Sequence, residues 1–227
     1  LINDFIKPYM LKLTQEQAGF KTTITEKVLT YDIPEQLKVL TSTLIDDRII
    51  VGKCDNVVAD TAASLMTKVH QIENGTVITD TGVAYILDKS KAELIRDKFK
   101  GTKIAVFYYY QKELELLKTV FGDTITTDLD EFNSTNKNFA IQQISGSEAI
   151  SLKEAEALVF YNFGFSGRCY TQGRDRMTTK DRKTNNIFFV ISKGSLNEKI
   201  YKAIKQKKKY NDKMFVKDYG RRTKFAE

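Results

Sequence analysis

The sequence predicts an α/β protein: a mostly parallel sheet with helices on both faces, three layers in all, preceded by a largely helical segment. Three observations carry this. Between residues 101 and 209 apolar runs alternate with amphipathic stretches, the order that a parallel sheet requires. The runs Ile104–Tyr109 and Leu158–Tyr161 are apolar without a break, as expected of strands covered on both faces. Before residue 101, apolar residues recur mainly at helical spacing.

Residues 1–30 are mixed and polar, with Pro8 early, and Val28–Tyr31 suits a short strand. Asp32-Ile33-Pro34 reads as a helix start, a capping Asp followed by Pro near the first helical position. Leu37, Leu40, Leu44 and Ile45 then recur at helical spacing until Gly52. A second helix is predicted over about Asp60–Ile72, with Ala62, Leu65, Met66 and Val69 on one face, and Asn74-Gly75 is a turn. Thr76–Leu87 reads as extended and loosely structured. Lys89–Phe99 is a charged amphipathic helix closed by Gly101.

Strand Ile104–Tyr109 is followed by helix Gln111–Phe121, whose inner stripe is Leu114, Leu117 and Phe121 and whose stop is Gly122. A short helix at Asp130–Asn136, a strand at Phe139–Ile144 and a tight loop at Ser145-Gly146-Ser147 come next. Strand Leu158–Tyr161, a helix from Ser166 to about Arg176, strand Ile187–Ile191 and helix Leu196–Lys209 complete the order. The predicted division is therefore 1–100, mainly helical; 101–209, the α/β unit; and 210–227, a basic tail.

Composition narrows the function classes. The chain has 227 residues, 41% of them apolar, enough for a sizeable core. Lys plus Arg number 36 against 29 acidic residues, a net charge of +7 that permits a polyanionic partner without demanding one. The two cysteines, Cys54 and Cys169, have no paired spacing, which disfavours a disulfide framework or zinc site and fits a reducing, cytoplasmic setting. His70 is the single histidine, which argues against histidine-based triads and metal sites; with no partner to name, it reads as a helix-surface residue. No apolar run approaches the ~20 residues of a membrane helix. The opening Leu1-Ile2-Asn3-Asp4 has no Met and no signal-peptide pattern, as expected of a piece of a longer protein.

In open parallel sheets ligands gather at the carboxyl ends of the strands. Three loops leave such ends here: Tyr109-Tyr110-Gln111, Ser145-Gly146-Ser147 and Asn162–Gly167. The third leads into a helix carrying Gln172, Arg174 and Arg176, a means of aiming positive charge at a phosphate. Each feature also has a plainer reading. The arginines can be a solvated helix end paired with Asp175 or Asp181, and Ser145–Ser147 a simple turn. Tyr108–Tyr110 suits core, with its last member at the surface, better than a base-stacking platform. Gln111 can be an ordinary helix N-terminal residue, and Cys169 a small buried filler. In the lysine-rich end (Lys199, Lys202, Lys205, Lys207, Lys208 and Lys209, then Lys213, Lys217, Arg221, Arg222 and Lys224), Ile200 and Ile204 face the sheet. The outward lysines suit solvated surface and salt-sensitive contact with DNA phosphates equally.

These residues, in this order, resemble the second, C-terminal RecA-like lobe of superfamily-two helicases and translocases, nearest the Swi/Snf-related and phage-type members. Strand Ile104–Tyr109 is similar to that lobe's first conserved block. Ser145-Gly146-Ser147-Glu148-Ala149-Ile150-Ser151-Leu152, followed by the strand at Leu158, resembles the block that contacts the nucleic-acid strand. Tyr170-Thr171-Gln172-Gly173-Arg174-Asp175-Arg176 resembles the last block, whose usual form is Gln, three residues, Arg, two residues, Arg. Upstream, Lys68–Gly75 and Ser90–Ile95 resemble the region joining the lobes, so the likeness spans about residues 25–209.

The resemblance implies a RecA-like fold and a role as the C-terminal motor lobe of an ATP-dependent DNA helicase or translocase. It implies nucleotide contacts from Gln172, Arg174 and Arg176, with Arg176 as the finger that stabilises phosphoryl transfer. It implies nucleic-acid contacts from Gln111, Ser145, Gly146 and Ser147. ATP and Mg would be held mainly by an N-terminal lobe, because this chain has no Gly-x-x-x-x-Gly-Lys-Ser/Thr and is expected to be inactive alone. Asp130-Glu131 does not substitute for the metal-binding acids, since Thr124–Leu129 does not read as a buried apolar strand. Two departures stand out. Ala149 occupies a usual Gly position, and Thr179 stands where the family's second Arg belongs, so the finger falls to Arg176, or by a shift to Arg174, Lys180 or Arg182. The rival class is a non-enzymatic RecA-like module that binds nucleic acid or protein.

Overall fold

The computed structural model describes residues 22–146, 150–179, 181–206 and 208–220. Its elements in chain order are β1 (Thr23–Thr30), α1 (Glu35–Asp47), β2 (Ile49–Val51), β3 (Asn56–Val58), α2 (Ala62–Glu73), β4 (Thr76–Ile78), β5 (Ala84–Ile86) and α3 (Ser90–Lys98). They continue with β6 (Ile104–Tyr108), α4 (Gln111–Phe121), β7 (Ile125–Thr126), α5 (Leu129–Ser134), β8 (Asn138–Gln142) and α6 (Gln143–Gly146). The last are β9 (Ala157–Phe160), α7 (Gly167–Arg174), β10 (Thr184–Ile191), α8 (Leu196–Lys205) and α9 (Asp212–Tyr219).

The central sheet has six strands in the order β1-β10-β9-β6-β8-β7. Every pairing in it is parallel. Every residue of β6 and β9 is buried. Successive strand residues point to opposite faces, so helices must cover both, and the result is a three-layer α/β/α, RecA-like architecture. The core is densely aromatic at its centre. Phe160 stacks on Phe189 with ring centroids 4.6 Å apart and meets Phe107 edge-on at 5.1 Å.

The first third carries the three expected helices and more strand than expected. The short strand expected at Val28–Tyr31 is a full edge strand, β1, paired residue for residue with β10 from Thr23↔Thr184 to Thr30↔Ile191. The central sheet thus draws on both sides of the predicted division at residue 101. Thr76–Leu87 is not loose: β4 and β5 form a two-stranded antiparallel ribbon, as do β2 and β3. Helix α1 starts after Pro34, with no side-chain cap from Asp32, and stops at Arg48, whose φ of 68° is left-handed, before Gly52 is reached.

Three further features follow from packing. Ile125-Thr126 is a strand, short but buried, because it closes the far edge of the sheet beside β8. Asp130 and Glu131 then fall in the first turn of α5, where Asp128 caps the Glu131 amide and Glu131 pairs with Lys137 at 2.6 Å. Within the predicted basic tail, α9 is a capped helix whose Phe215 is fully buried. It packs against α2.

Candidate functional site

The carboxyl edge of the sheet is knitted by side-chain amides. Strand β6 delivers Tyr109 and Tyr110 to the edge, and α4 begins at Gln111. Gln111 is exposed and its Nε2 donates to Gln142 Oε1 at 3.2 Å. Gln142 Nε2 donates in turn to the Tyr109 carbonyl at 3.0 Å. One residue on, the buried Gln143 accepts from the Gly164 amide at 2.7 Å. Gly164 is required there, since an added Cβ would lie 2.4 Å from Tyr109 Cε2. The loops after β6, β8 and β9 therefore meet, as the sheet reading requires.

Gln143–Gly146 is a helical turn rather than the expected tight loop, and it leaves Ser145 exposed beside Gln111's partner strand. Ser147 lies outside the described residues, as do Ala149, Lys180 and the Cys169 side chain. Of the three tyrosines, Tyr108 is core, as expected, and Tyr109 and Tyr110 are partly buried.

Beneath this edge lies a buried polar cluster. Glu113, fully buried, accepts from the Tyr109 and Tyr110 amides at 2.8 and 3.0 Å through one oxygen. Its other oxygen accepts from Asn162 Nδ2 at 2.6 Å. Placed at the third helical position, the carboxylate satisfies amides that the helix leaves without partners. His70 corrects the surface reading: it is fully buried, 2.9 Å from the Tyr110 hydroxyl and 2.7 Å from Asn197 Oδ1.

The proton positions follow from the partners. Asn74 Nδ2 donates to the His70 carbonyl at 2.6 Å, which can only accept. Asn74 Oδ1 then receives Lys91 Nζ at 2.5 Å and Asn197 Nδ2 at 2.9 Å. That leaves Asn197 Oδ1 to accept from His70 Nε2–H, and His70 Nδ1 to accept from Tyr110. Burial keeps His70 neutral, lowering its pKa from 6.5 to about 3. Burial also pushes the Glu113 carboxyl up and the Lys91 ammonium down, while the charge of each favours that of the other. Glu73, raised to about 7 by burial, accepts from the Leu196 amide at the start of α8 at 2.7 Å.

The arginine-bearing helix starts at this edge, packed against α6, but carries its arginines away from it. Helix α7 starts near the carboxyl end of β9 and runs back across the sheet, with Gly173 packed so close that a Cβ would meet Phe107 Cε2 at 2.5 Å. Its far end carries Asp175–Met177, and the Arg176 carbonyl accepts from the Leu152 amide at 2.9 Å, just before β9 begins. Arg182 caps the same region, donating to the Ala155 carbonyl at 2.7 Å. Arg176 thus sits by the amino end of β9, whereas Gln111 and Ser145 sit at carboxyl ends of strands parallel to it.

Arg174 is engaged, 3.5 Å from both Glu26 on β1 and Asp175, which matches the plainer pairing with Asp175. Glu26 also receives the Tyr170 hydroxyl at 2.6 Å and the Lys205 ammonium. Burial disfavours its charged form, but Lys205, Tyr170 and Arg174 together outweigh that and hold the carboxyl below its ordinary range. Gln172 and Arg176 are partly exposed on this helix.

No protein-family model matches the chain, and no curated protein does. Solved structures do. The Sulfolobus solfataricus SWI2/SNF2 ATPase core in complex with dsDNA is similar over 97% of this chain and 52% of that one, at 14% identity and a TM-score of 0.54. The C-terminal part of the Fun30 ATPase domain is similar over 58% of this chain and 53% of that one, at 17% identity and a TM-score of 0.47. The chain spans about half the length of the structures it matches. At such identities the likeness is one of fold.

Proposed function

We propose that the chain is the second RecA-like lobe of an ATP-dependent DNA translocase or helicase. The observation that supports this best is the separation of two sets of polar residues about one sheet. Gln111 and Ser145 line the carboxyl edge, with Gly146 closing α6 beside them. Gln172 and Arg176 lie on the helix that leads to the opposite end. A lobe of this kind touches nucleic acid at one place and a nucleotide held by its neighbour at another. The Sulfolobus structure supports DNA as the polymer, since that protein was solved with dsDNA.

ATP and Mg fit this chain only in part. Arg174 is engaged by Glu26 and Asp175, while Gln172 and Arg176 are partly exposed. When bound, the nucleotide supplies the γ-phosphoryl group, and Arg176 supplies positive charge toward it. The phosphate cradle and metal-binding acids belong to an N-terminal lobe.

The chain alone is therefore expected to show no steady-state ATPase activity. Joined to the N-terminal lobe of its full-length protein, it should show DNA-stimulated hydrolysis. Arg176→Ala should then lower kcat by about 10³-fold, the scale of a lost arginine finger. Hydrolysis by the chain alone, or an unaffected Arg176→Ala motor, would overturn the proposal.

A further inference from the structure

The polar cluster under the carboxyl edge holds Tyr110 at two points. Its amide is held by Glu113 at 3.0 Å and its hydroxyl by His70 at 2.9 Å. From His70 the hydrogen bonds run through Asn197 and Asn74 to Lys91. Lys91 and Glu113 are both buried in this cluster, and the charge of each favours that of the other. The members come from six places: α2, the turn after it, α3, the loop after β6, α4 and α8. A second path crosses the cluster, because the Tyr161 hydroxyl donates to the Asn74 carbonyl at 2.6 Å while Lys91 lies over the Tyr161 ring at 4.9 Å.

Stability does not call for such a cluster. Burying charged and amide groups is expensive, and well-packed apolar residues of the same volume do as well or better. What a satisfied buried network adds is a single permitted arrangement of the elements it joins. Among the described residues Lys91 is the only buried lysine. It sits on α3, on the other side of strand β6 in sequence from the Tyr109–Gln111 loop.

We propose that Lys91 is a positioning residue: through Asn74 and Glu113 it makes the placement of Tyr109–Gln111 depend on the placement of α2 and α3. Its consequence for DNA rests on the function proposed above; its consequence for the backbone does not. Without the ammonium, Glu113 is a lone buried carboxylate and takes up a proton. A neutral carboxyl is the weaker acceptor, and the Tyr109 and Tyr110 amides lose their clamp.

The test is residue-resolved amide hydrogen exchange on the chain, together with its affinity for a mixed-sequence DNA duplex. Lys91→Met should speed exchange at Tyr109 and Tyr110 by about tenfold, the worth of one charge-assisted hydrogen bond, and weaken DNA binding in step. Amides of Ile187–Ile191 in β10 should keep their wild-type rates. Glu113→Gln, neutral like the protonated carboxyl, should speed the same amides on its own and add little to Lys91→Met, because both changes remove the same charged acceptor. Exchange that rises everywhere, or that stays unchanged at Tyr109 and Tyr110, would overturn the proposal. If Lys91→Met does not fold, Lys91→Gln, which keeps a donor for Asn74 without the charge, replaces it under the same two criteria. A wild-type chain with no affinity for DNA would count against the proposed function, while the exchange rates would still decide the role of Lys91.

Discussion

Replacing His70 by Gln converts its burial into a measurable pH dependence. The native imidazole, shut in among Tyr109, Tyr110 and Phe165, takes a proton only near pH 3, against 6.5 for the ordinary group. Because the native pKa is depressed, its contribution to stability is intact above pH 6.5 and is lost as pH falls toward 3. Each pH unit in that window is worth about 1.4 kcal/mol, so the wild type should lose about 2 kcal/mol between pH 7 and 5 through this group.

The wild-type curve alone does not isolate this effect. Glu73 is raised to about 7, so its protonation stabilises the native state as pH falls, and Glu113 acts in the same direction. The difference between wild type and His70→Gln cancels both. Gln can accept from Tyr110 and donate to Asn197 but forfeits the ring packing, about 1–2 kcal/mol at pH 7. Urea denaturation across pH should show the two proteins converging by about 2 kcal/mol at pH 5. As His70 is the only histidine, its ring proton gives one NMR resonance, which should not titrate between pH 7.5 and 5. Parallel stability curves, or a resonance that titrates near pH 6.5, would refute the buried neutral assignment.

Two substitutions probe the scaffold. Phe160→Ala removes the ring stacked on Phe189 and should lower unfolding stability by about 3–5 kcal/mol in denaturant titrations; a loss under 1 kcal/mol would mean the aromatic centre is loosely packed. Gly173→Ala sets two effects against each other. Helix propensity favours Ala by about 1 kcal/mol. The new Cβ, however, lies 2.5 Å from the fully buried Phe107, an overpacking that costs about 1–3 kcal/mol. The clash should win and lower Tm, and a raised Tm would show that α7 stands further from the sheet.

The parts of the fold that the sequence displays are those set by local pattern. Strands β6 and β9 are unbroken apolar runs, and α4 spans Gln111–Phe121 as its spacing and Gly122 predict. Strand β1 is less visible because one flank is open. None of its residues is buried and half are exposed, so Thr, Glu and Lys are tolerated along it and no apolar run marks it. His70 gives no local sign of its role, because its partners stand 40 and 127 residues away. Glu113 offered one clue, an acid in the first turn of a helix, but Lys91 and Asn162 offered none. The residues of the carboxyl edge were legible from strand ends alone. The position of Arg176 was not, because it depends on the direction in which α7 crosses the sheet.

The pairing of β1 with β10 also constrains the order of assembly. Thr22 bonds to the Arg182 carbonyl, 160 positions later in the chain. During synthesis β1 therefore emerges before its partner β10 and stays unpaired until the residues between them have been made. Contacts of such separation form slowly. An unpaired strand meanwhile presents hydrogen-bonding groups to other chains. The glutamate, lysine and threonines that make β1 hard to read as a strand keep that waiting edge polar, which limits premature association until Lys205, Tyr170 and Arg174 arrive to claim Glu26.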